Sequence, residues 1–152
     1  MRKNIKAFTL VELMVAVAVL AIVLGIAAPS FLEMLRQNTL RSQANELLGV
    51  MHYARTEAIK RRVNVTVNLT PGTGWKAEVI QPGTTTVLRA VDKTATSVAL
   101  NGSGTIAVVF DLRGRRQSAD NCFQLSYYGN QRQLIVETGG ALKIEAGACG
   151  GS

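Results

Sequence analysis

One apolar run near the N-terminus constrains this chain more than any other feature. Its 21 residues, from Phe8 to Ala28, contain a single charged side chain, Glu12. A helix needs about 20 apolar residues to cross a bilayer, so this run is long enough to span one. The alternatives are a buried core helix and a cleaved secretory signal, whose apolar region usually has about 7 to 15 residues. We predict a transmembrane helix half over residues 8–29.

The charges around the apolar run predict its orientation. Arg2, Lys3 and Lys6 precede it, and basic flanking residues stay on the cytoplasmic side. The chain after Pro29 is therefore expected outside the cytoplasm. The whole chain has 17 basic and 10 acidic side chains and a net charge of +7, so the part without those three has 14 basic side chains and a net charge of +4. A net charge of +7 is compatible with nucleic acid, anionic lipid or an acidic protein partner, but the part after the basic flank is only mildly basic.

Glu12 is the anomalous residue of the apolar run. A carboxylate inside hydrocarbon costs about 2.5 to 3.5 kcal/mol on insertion scales, and such residues are usually paired. Cleavage between Ala7 and Phe8 would create an α-amino group at a similar depth, either in the same subunit or in a neighbour. We therefore expect a freed amine to pair with Glu12.

The N-terminal segment KAFTLVELMVAVAVLAIVLGIAAP resembles the class III signal and helix of type IV pilins and type II secretion pseudopilins. The resemblance implies that residues 1–7 are a leader and that a prepilin peptidase cuts after Ala7. It also implies that Phe8 is N-methylated and that Glu12 neutralises the amine of an adjacent subunit during assembly. The superfamily usually has glycine where Ala7 stands. Pro29 matches a position where the helix is expected to kink or loosen locally.

A second helical pattern follows Pro29. Apolar side chains recur every three or four residues, which predicts an amphipathic helix half over residues 30–62 with one buried stripe. The stripe consists of Leu40, Ala44, Leu47, Leu48, Met51, Ala54 and Ala58. The segment MHYARTEAIKRR, residues 51–62, resembles the end of the helix in the GspH/FimT branch of the superfamily. In that branch the run typically reads Ala-Arg-Ser-Glu-Ala-Ile, and Thr56 replaces the serine here.

Residues 63–152 are predicted to form a β-rich head. The pattern becomes alternating from Val63 onward, and glycine-containing turns then separate short apolar runs. These runs predict six to seven antiparallel strands packed on the helix stripe, which is an α+β class. The phrase VVFDLRGRR, residues 108–116, again resembles the GspH/FimT pattern. The resemblance implies the pilin fold for the whole chain.

The two cysteines of the chain, Cys122 and Cys149, both lie in the head. Because a chain exported past the inner membrane enters an oxidising space, we predict that they form a disulfide. Two free thiols are the alternative. Neither cysteine has the close Cys or His neighbours of a zinc site, so no metal is predicted.

DNA is a possible partner on two grounds. Some FimT-like minor pilins are associated with DNA uptake through a Gly-Arg-x-Arg motif in the C-terminal part of the head, but the corresponding place here reads TGGALKI and leaves only Lys143 basic. A second cluster, Arg113, Arg115 and Arg116, could contact phosphates without sequence preference. A solvated charged turn is the commoner role for such a cluster.

Nothing in the sequence indicates catalysis or a cofactor. His52 is the only histidine, and no nucleophile motif accompanies it. We predict a minor type IV pilin in the complex that initiates or caps a pilus, with other pilins and the inner membrane as partners and the head in the periplasm. The alternatives are a type II secretion pseudopilin and a DNA-binding minor pilin for natural transformation.

Overall fold

The computed structural model describes residues 8–81, 83 and 86–150. The chain divides into one unit that ends at Leu35 and a second that begins at Arg36. A helix, α1, spans Leu10–Arg61 and contributes to both units. The predicted leader, including Ala7, lies outside the described residues.

The first unit is the apolar part of α1. It is long and apolar enough to cross a membrane, and none of its most apolar 18-residue window is buried. The helix continues through Pro29 without ending. Since proline has no N–H, the bond that residue 29 would donate to the carbonyl of Gly25 is missing there.

The second unit begins with the amphipathic part of α1. The predicted stripe is buried except for Leu48, which is half-buried, and Val50 joins it. Two polar side chains, Gln43 and Glu57, are also buried on this face. The Glu57 carboxylate forms an ion pair with Arg61, and the Arg61 Nε lies 2.5 Å from it. The helix therefore presents a mostly apolar face to the β-strands.

The described part of the head contains nine strands in two antiparallel sheets. The first sheet has the order β4-β3-β1-β6 and the second has the order β2-β5-β7-β8-β9. The strands are β1 Val65–Thr70, β2 Gly72–Thr73, β3 Lys76–Ile80, β4 Val87–Asp92, β5 Ala99–Leu100, β6 Ile106–Phe110, β7 Cys122–Tyr127, β8 Asn130–Val136 and β9 Leu142–Ala146. Seven of these strands correspond to the six to seven that the sequence predicted, and the α+β prediction is confirmed. The sequence missed β2 and β5, which have two residues each.

Alternate residues of these strands and the helix stripe share one core. In β1, Val65, Val67 and Leu69 are fully buried, while the residues between them are partly exposed. The largest buried side chains include Trp75 and Phe110. The helix and both sheets thus exclude water from the same apolar interior, which is the main stabilising term for a domain of this size.

A disulfide joins Cys122 in β7 to Cys149 after β9, as predicted, with 27 residues of sequence separation. The Cys149 N–H also donates to Oε1 of Gln124, at 3.2 Å. Gln133 is buried beside the disulfide, with its Oε1 3.3 Å from Cys122 Sγ. The C-terminal segment is therefore fixed to the second sheet by covalent and polar contacts.

Candidate functional site: the helix start and the basic turns

Thr9 and Glu12 form a reciprocal capping box at the start of α1. The Thr9 N–H and hydroxyl donate to Glu12 Oε2 at 3.1 and 3.2 Å, and the Glu12 N–H donates to Thr9 Oγ1 at 3.2 Å. This arrangement satisfies backbone donors that the first turn of a helix leaves unpaired. Sequence analysis identified Glu12 but missed the Thr-x-x-Glu signature of the cap. Glu12 therefore has partners within its own chain.

Two other predicted assembly residues, Phe8 and Pro29, lie before and after the Thr9–Glu12 cap. Phe8 is 85% exposed and precedes the capping threonine. Pro29 lies inside the helix, well after the cap. Ala7, the residue before the predicted cut, lies outside the described residues.

Asp111 organises the turn that carries the predicted basic cluster. Its Oδ1 accepts the N–H groups of Arg113 and Arg115 at 2.9 and 2.8 Å, and its Oδ2 accepts from Gln117 Nε2 at 3.1 Å. The hydrogen bond from the Arg115 N–H is the largest cause that lowers the pKa of Asp111 below its ordinary value of 3.8. A carboxylate, rather than a carboxylic acid, is thus the form that this turn stabilises.

The stability that the Asp111 turn gives the head should depend on pH. Because the folded-state pKa of Asp111 is lowered, its contribution is present above pH 3.8 and is lost as the pH falls through the folded-state pKa. We expect Asp111→Asn to lower the urea unfolding midpoint at pH 7, and we expect that difference from wild type to shrink in acid. A difference that stays constant from about pH 7 to about pH 2.5 would contradict this assignment.

Arg116 has a structural role that its position in the basic cluster did not predict. Its Nε donates to the carbonyl of Val136 at 2.9 Å, and its Nη1 donates to the carbonyls of Ser118, Ala119 and Asp120. One guanidinium therefore holds the loop after the turn against the end of β8. Any DNA contact of this turn would depend mainly on Arg113 and Arg115, which are both exposed.

Lys143 pairs with a residue of a turn that adjoins the basic turn. The Arg116 N–H donates to the carbonyl of Thr138 at 3.1 Å, which joins the Asp111 turn to the turn that follows β8. Lys143 pairs with Glu137 in that second turn, and this hydrogen bond is the main cause that raises the pKa of Lys143. The structure thus links the basic turn to the turn after β8 and gives Lys143 an acidic partner in that second turn.

Arg55 joins the basic turn to the helix. Its Nε donates to the carbonyl of Gly114 at 3.1 Å. A Cβ on Gly140 would lie 1.9 Å from that carbonyl oxygen and 3.0 Å from Arg55 Nε. Both glycines have a positive φ, 74° and 83°. The arginine of the helix-end motif therefore binds one turn directly where a second turn approaches closely, a role that the motif alone did not reveal.

Side chains that commonly bind metal ions do not cluster in the described part of the chain. Residues 8–81, 83 and 86–150 contain no group of three or more His, Cys, Asp or Glu side chains that could hold an ion. His52 is exposed on α1.

Comparisons with known proteins identify two regions of the sequence. Residues 43–140 match the family model of the type II transport protein GspH, and residues 2–28 match the prokaryotic N-terminal methylation motif. No curated protein matches the sequence. The first match covers much of the amphipathic helix half, the Asp111 turn and most of the strands.

Two solved structures of the type IV minor pilin FimU from Pseudomonas aeruginosa share the fold. One is 21% identical over 70% of this chain and 92% of that chain, with a TM-score of 0.58. The other is 22% identical over 72% of this chain and 90% of that chain, with a TM-score of 0.59. The predicted pilin fold is confirmed.

Proposed function

The chain belongs to the family of the type II transport protein GspH, and we propose that it is a minor type IV pilin of the complex that initiates or caps the pilus. The observation that carries this proposal is the order of the two matched regions. A methylation motif at residues 2–28 is followed by a head with the fold of the type IV minor pilin FimU. The role is structural, since the chain would act by packing with other subunits.

The N-terminal helix would have two successive tasks in this role, anchoring and packing. It first holds the subunit in the inner membrane, with the head in the periplasm, and then packs among other pilin helices in the filament. Cleavage by prepilin peptidase after Ala7 would free the amine of Phe8, which is then methylated. A carboxylate has about four lone-pair sites, so Glu12 can keep its cap to Thr9 and still accept the amine of a neighbouring subunit.

A pseudopilin of type II secretion is the second candidate. The description of the matched family as a type II transport protein favours it. Both machines would use the same anchor and the same helix packing, so the N-terminal segment does not discriminate between them.

Deletion of the gene in the native host separates the two candidates. A minor pilin should be needed for surface pili but not for secretion of exported enzymes. We therefore expect the deletion strain to lose pili, counted by electron microscopy, while enzyme activity in the medium stays at the wild-type level. Normal piliation with lost secretion would reject the pilus proposal and support the pseudopilin.

Two substitutions separate the charge of Glu12 from its capping contact. Glu12→Gln keeps an acceptor suitable for the capping box but removes the charge, whereas Thr9→Val keeps the charge but removes the hydroxyl. Because a hydrogen bond to a charged group is worth about 1.5 to 3 kcal/mol, we expect Glu12→Gln to lower incorporation into sheared filaments by about tenfold or more. Thr9→Val removes only a cap worth about 1 kcal/mol and should have a smaller effect.

Immunoblots of sheared filaments and of membranes measure this prediction. The membrane level of both variants should equal that of wild type, which shows that insertion is intact. Wild-type incorporation of Glu12→Gln, or a larger loss for Thr9→Val, would show that the charge of Glu12 is not used for assembly.

A further inference from the structure

A small cleft, lined by both polar and apolar side chains, lies between the amphipathic part of α1 and the strands β8 and β9. Its volume is about 200 Å³, and Gln37 and Arg41 of the helix face Gln131 and Arg132 of β8 across it. The ligand pockets of enzymes usually have about 300 to 1,000 Å³. This cleft therefore fits a single side chain better than a nucleotide or a cofactor.

Arg132 occupies a position where an apolar residue is expected. It lies on the same face of β8 as Leu134 and Val136, which are both buried in the core. Sequence alternation alone would predict an apolar side chain there. An arginine at the end of this inward row is half-buried and lines the cleft, and such a position calls for an anionic partner.

The two arginines of the cleft carry no counter-charge from within the described residues. Neither the Arg41 nor the Arg132 guanidinium has an ion pair or a hydrogen bond among residues 8–81, 83 and 86–150. The acidic side chains that form ion pairs in this unit do so with other cations: Glu46 with Lys93, Glu57 with Arg61 and Lys60, Glu78 with Lys76, and Glu137 with Lys143. Two like charges in one cleft repel each other, and a bound anion would relieve that repulsion.

An exposed tyrosine, Tyr128, lies in the turn between β7 and β8, two residues before Asn130 of the cleft. Tyr128 is 66% exposed and has a φ of 46°, in a two-residue turn where Asn-Gly is the usual sequence. The Arg36 guanidinium lies over its ring at 4.5 Å, and the Tyr127 ring meets it edge-on at 4.7 Å. Tyrosine and arginine are the residue types that dominate binding energy at protein interfaces. An aromatic side chain kept in a strained, exposed turn is consistent with a contact surface.

We propose that this cleft binds the carboxylate of an Asp or Glu side chain on a neighbouring filament subunit, with Arg41 and Arg132 as its ligands and Tyr128 packing beside it. The inference rests on the proposed function, because it needs a neighbouring subunit. Guanidinium groups match a carboxylate in bidentate geometry, and a cleft of this volume admits one such side chain. An extended phosphate backbone would need a continuous basic track rather than a single cleft with two arginines.

Site-specific photo-crosslinking in the full-length protein tests the proposal. A benzoylphenylalanine at Gln131, which is exposed at the cleft, is irradiated in assembled filaments, and the crosslinked peptide is identified by mass spectrometry. We expect a peptide of another subunit, or of a second copy of this chain, with an Asp or Glu at the crosslinked position or adjacent to it. A crosslink to DNA, to lipid or to a peptide without an acidic residue there would overturn the proposal.

Charge variants make the test specific. The double variant Arg41→Gln and Arg132→Gln should lower the crosslink yield by about tenfold or more, since each charge-assisted hydrogen bond is strong. The double lysine variant keeps the charge and should retain part of the yield. Arg62→Gln, at an exposed turn after α1, should leave the yield unchanged. An equal yield in the double glutamine variant would overturn the proposal.

A second crosslinker at Val15, in the apolar part of α1, separates failure of the cleft from failure of the function. Crosslinks from Val15 to other subunits with none from Gln131 would reject the cleft and leave the filament role standing. Absence of both would reject the filament role, and the cleft proposal with it. Folding of each variant is checked by retention of the Cys122–Cys149 disulfide and by the unfolding temperature.

Discussion

Replacing Gly140 by alanine is expected to destabilise the head by about 2 to 5 kcal/mol. The left-handed backbone at this position has a φ of 83°, which costs a residue with a Cβ about 1 to 2 kcal/mol. The new Cβ would also lie 1.9 Å from the Gly114 carbonyl oxygen, a backbone atom that Arg55 holds in place. Overpacking of this kind typically costs about 1 to 3 kcal/mol more. Thermal unfolding of the full-length protein in detergent, followed by circular dichroism, measures the loss.

Two other glycines of the head provide matched controls. At Gly139, the position that a Cβ would occupy has no neighbouring atom within 4 Å, so Gly139→Ala should be nearly neutral. Gly129 has equally open space but a φ of 82°, so Gly129→Ala should show the backbone cost alone. If Gly140→Ala were no more destabilising than Gly129→Ala, the close approach of the two turns would not be a source of stability.

Removing the disulfide should have the second large effect. The Cys122–Cys149 bond closes a loop with 27 residues of sequence separation, and a loop of this length is worth about 3 to 4 kcal/mol in the chain-entropy model. We expect the double variant Cys122→Ser and Cys149→Ser to lower the unfolding temperature by on the order of 15 °C. Reduction of the wild-type protein before heating should give a similar loss.

The variant Gln124→Ala is the control for this experiment. It removes the hydrogen bond from the Cys149 N–H but leaves the covalent bond intact, so it should cost no more than about 1 kcal/mol. An unfolding temperature of the double serine variant equal to that of Gln124→Ala would mean that the tail is held by its polar contacts rather than by the disulfide.

The elements that the sequence predicted are those with a local signature. The apolar run from Phe8, the helical stripe around Leu47 and the alternation in β1 each result from side chains a few residues apart, and all appear in the structure. The strands β2 and β5 were missed because two residues cannot show an alternating pattern. They form through pairing with strands that lie elsewhere in the chain.

The candidate sites also separate into those with a local sequence signature and those without one. The Thr9 and Glu12 cap has a local signature and could have been predicted from the sequence. The roles of Arg55, Arg116 and Arg132 could not, because each depends on partners or surfaces brought close only by the fold: the carbonyl of Gly114 for Arg55, the carbonyl of Val136 for Arg116, and the cleft beside α1 for Arg132. A cluster of arginines in sequence thus contained one structural residue and two exposed ones.

The burial of Trp75 gives this protein an internal fluorescent reporter. It is the only tryptophan of the chain, and it is completely excluded from solvent within the core of the head. The fluorescence of this indole therefore reports on the head alone, even when the N-terminal helix is held in micelles. A red shift of its emission would signal water entry into that core, independently of any change in the anchor.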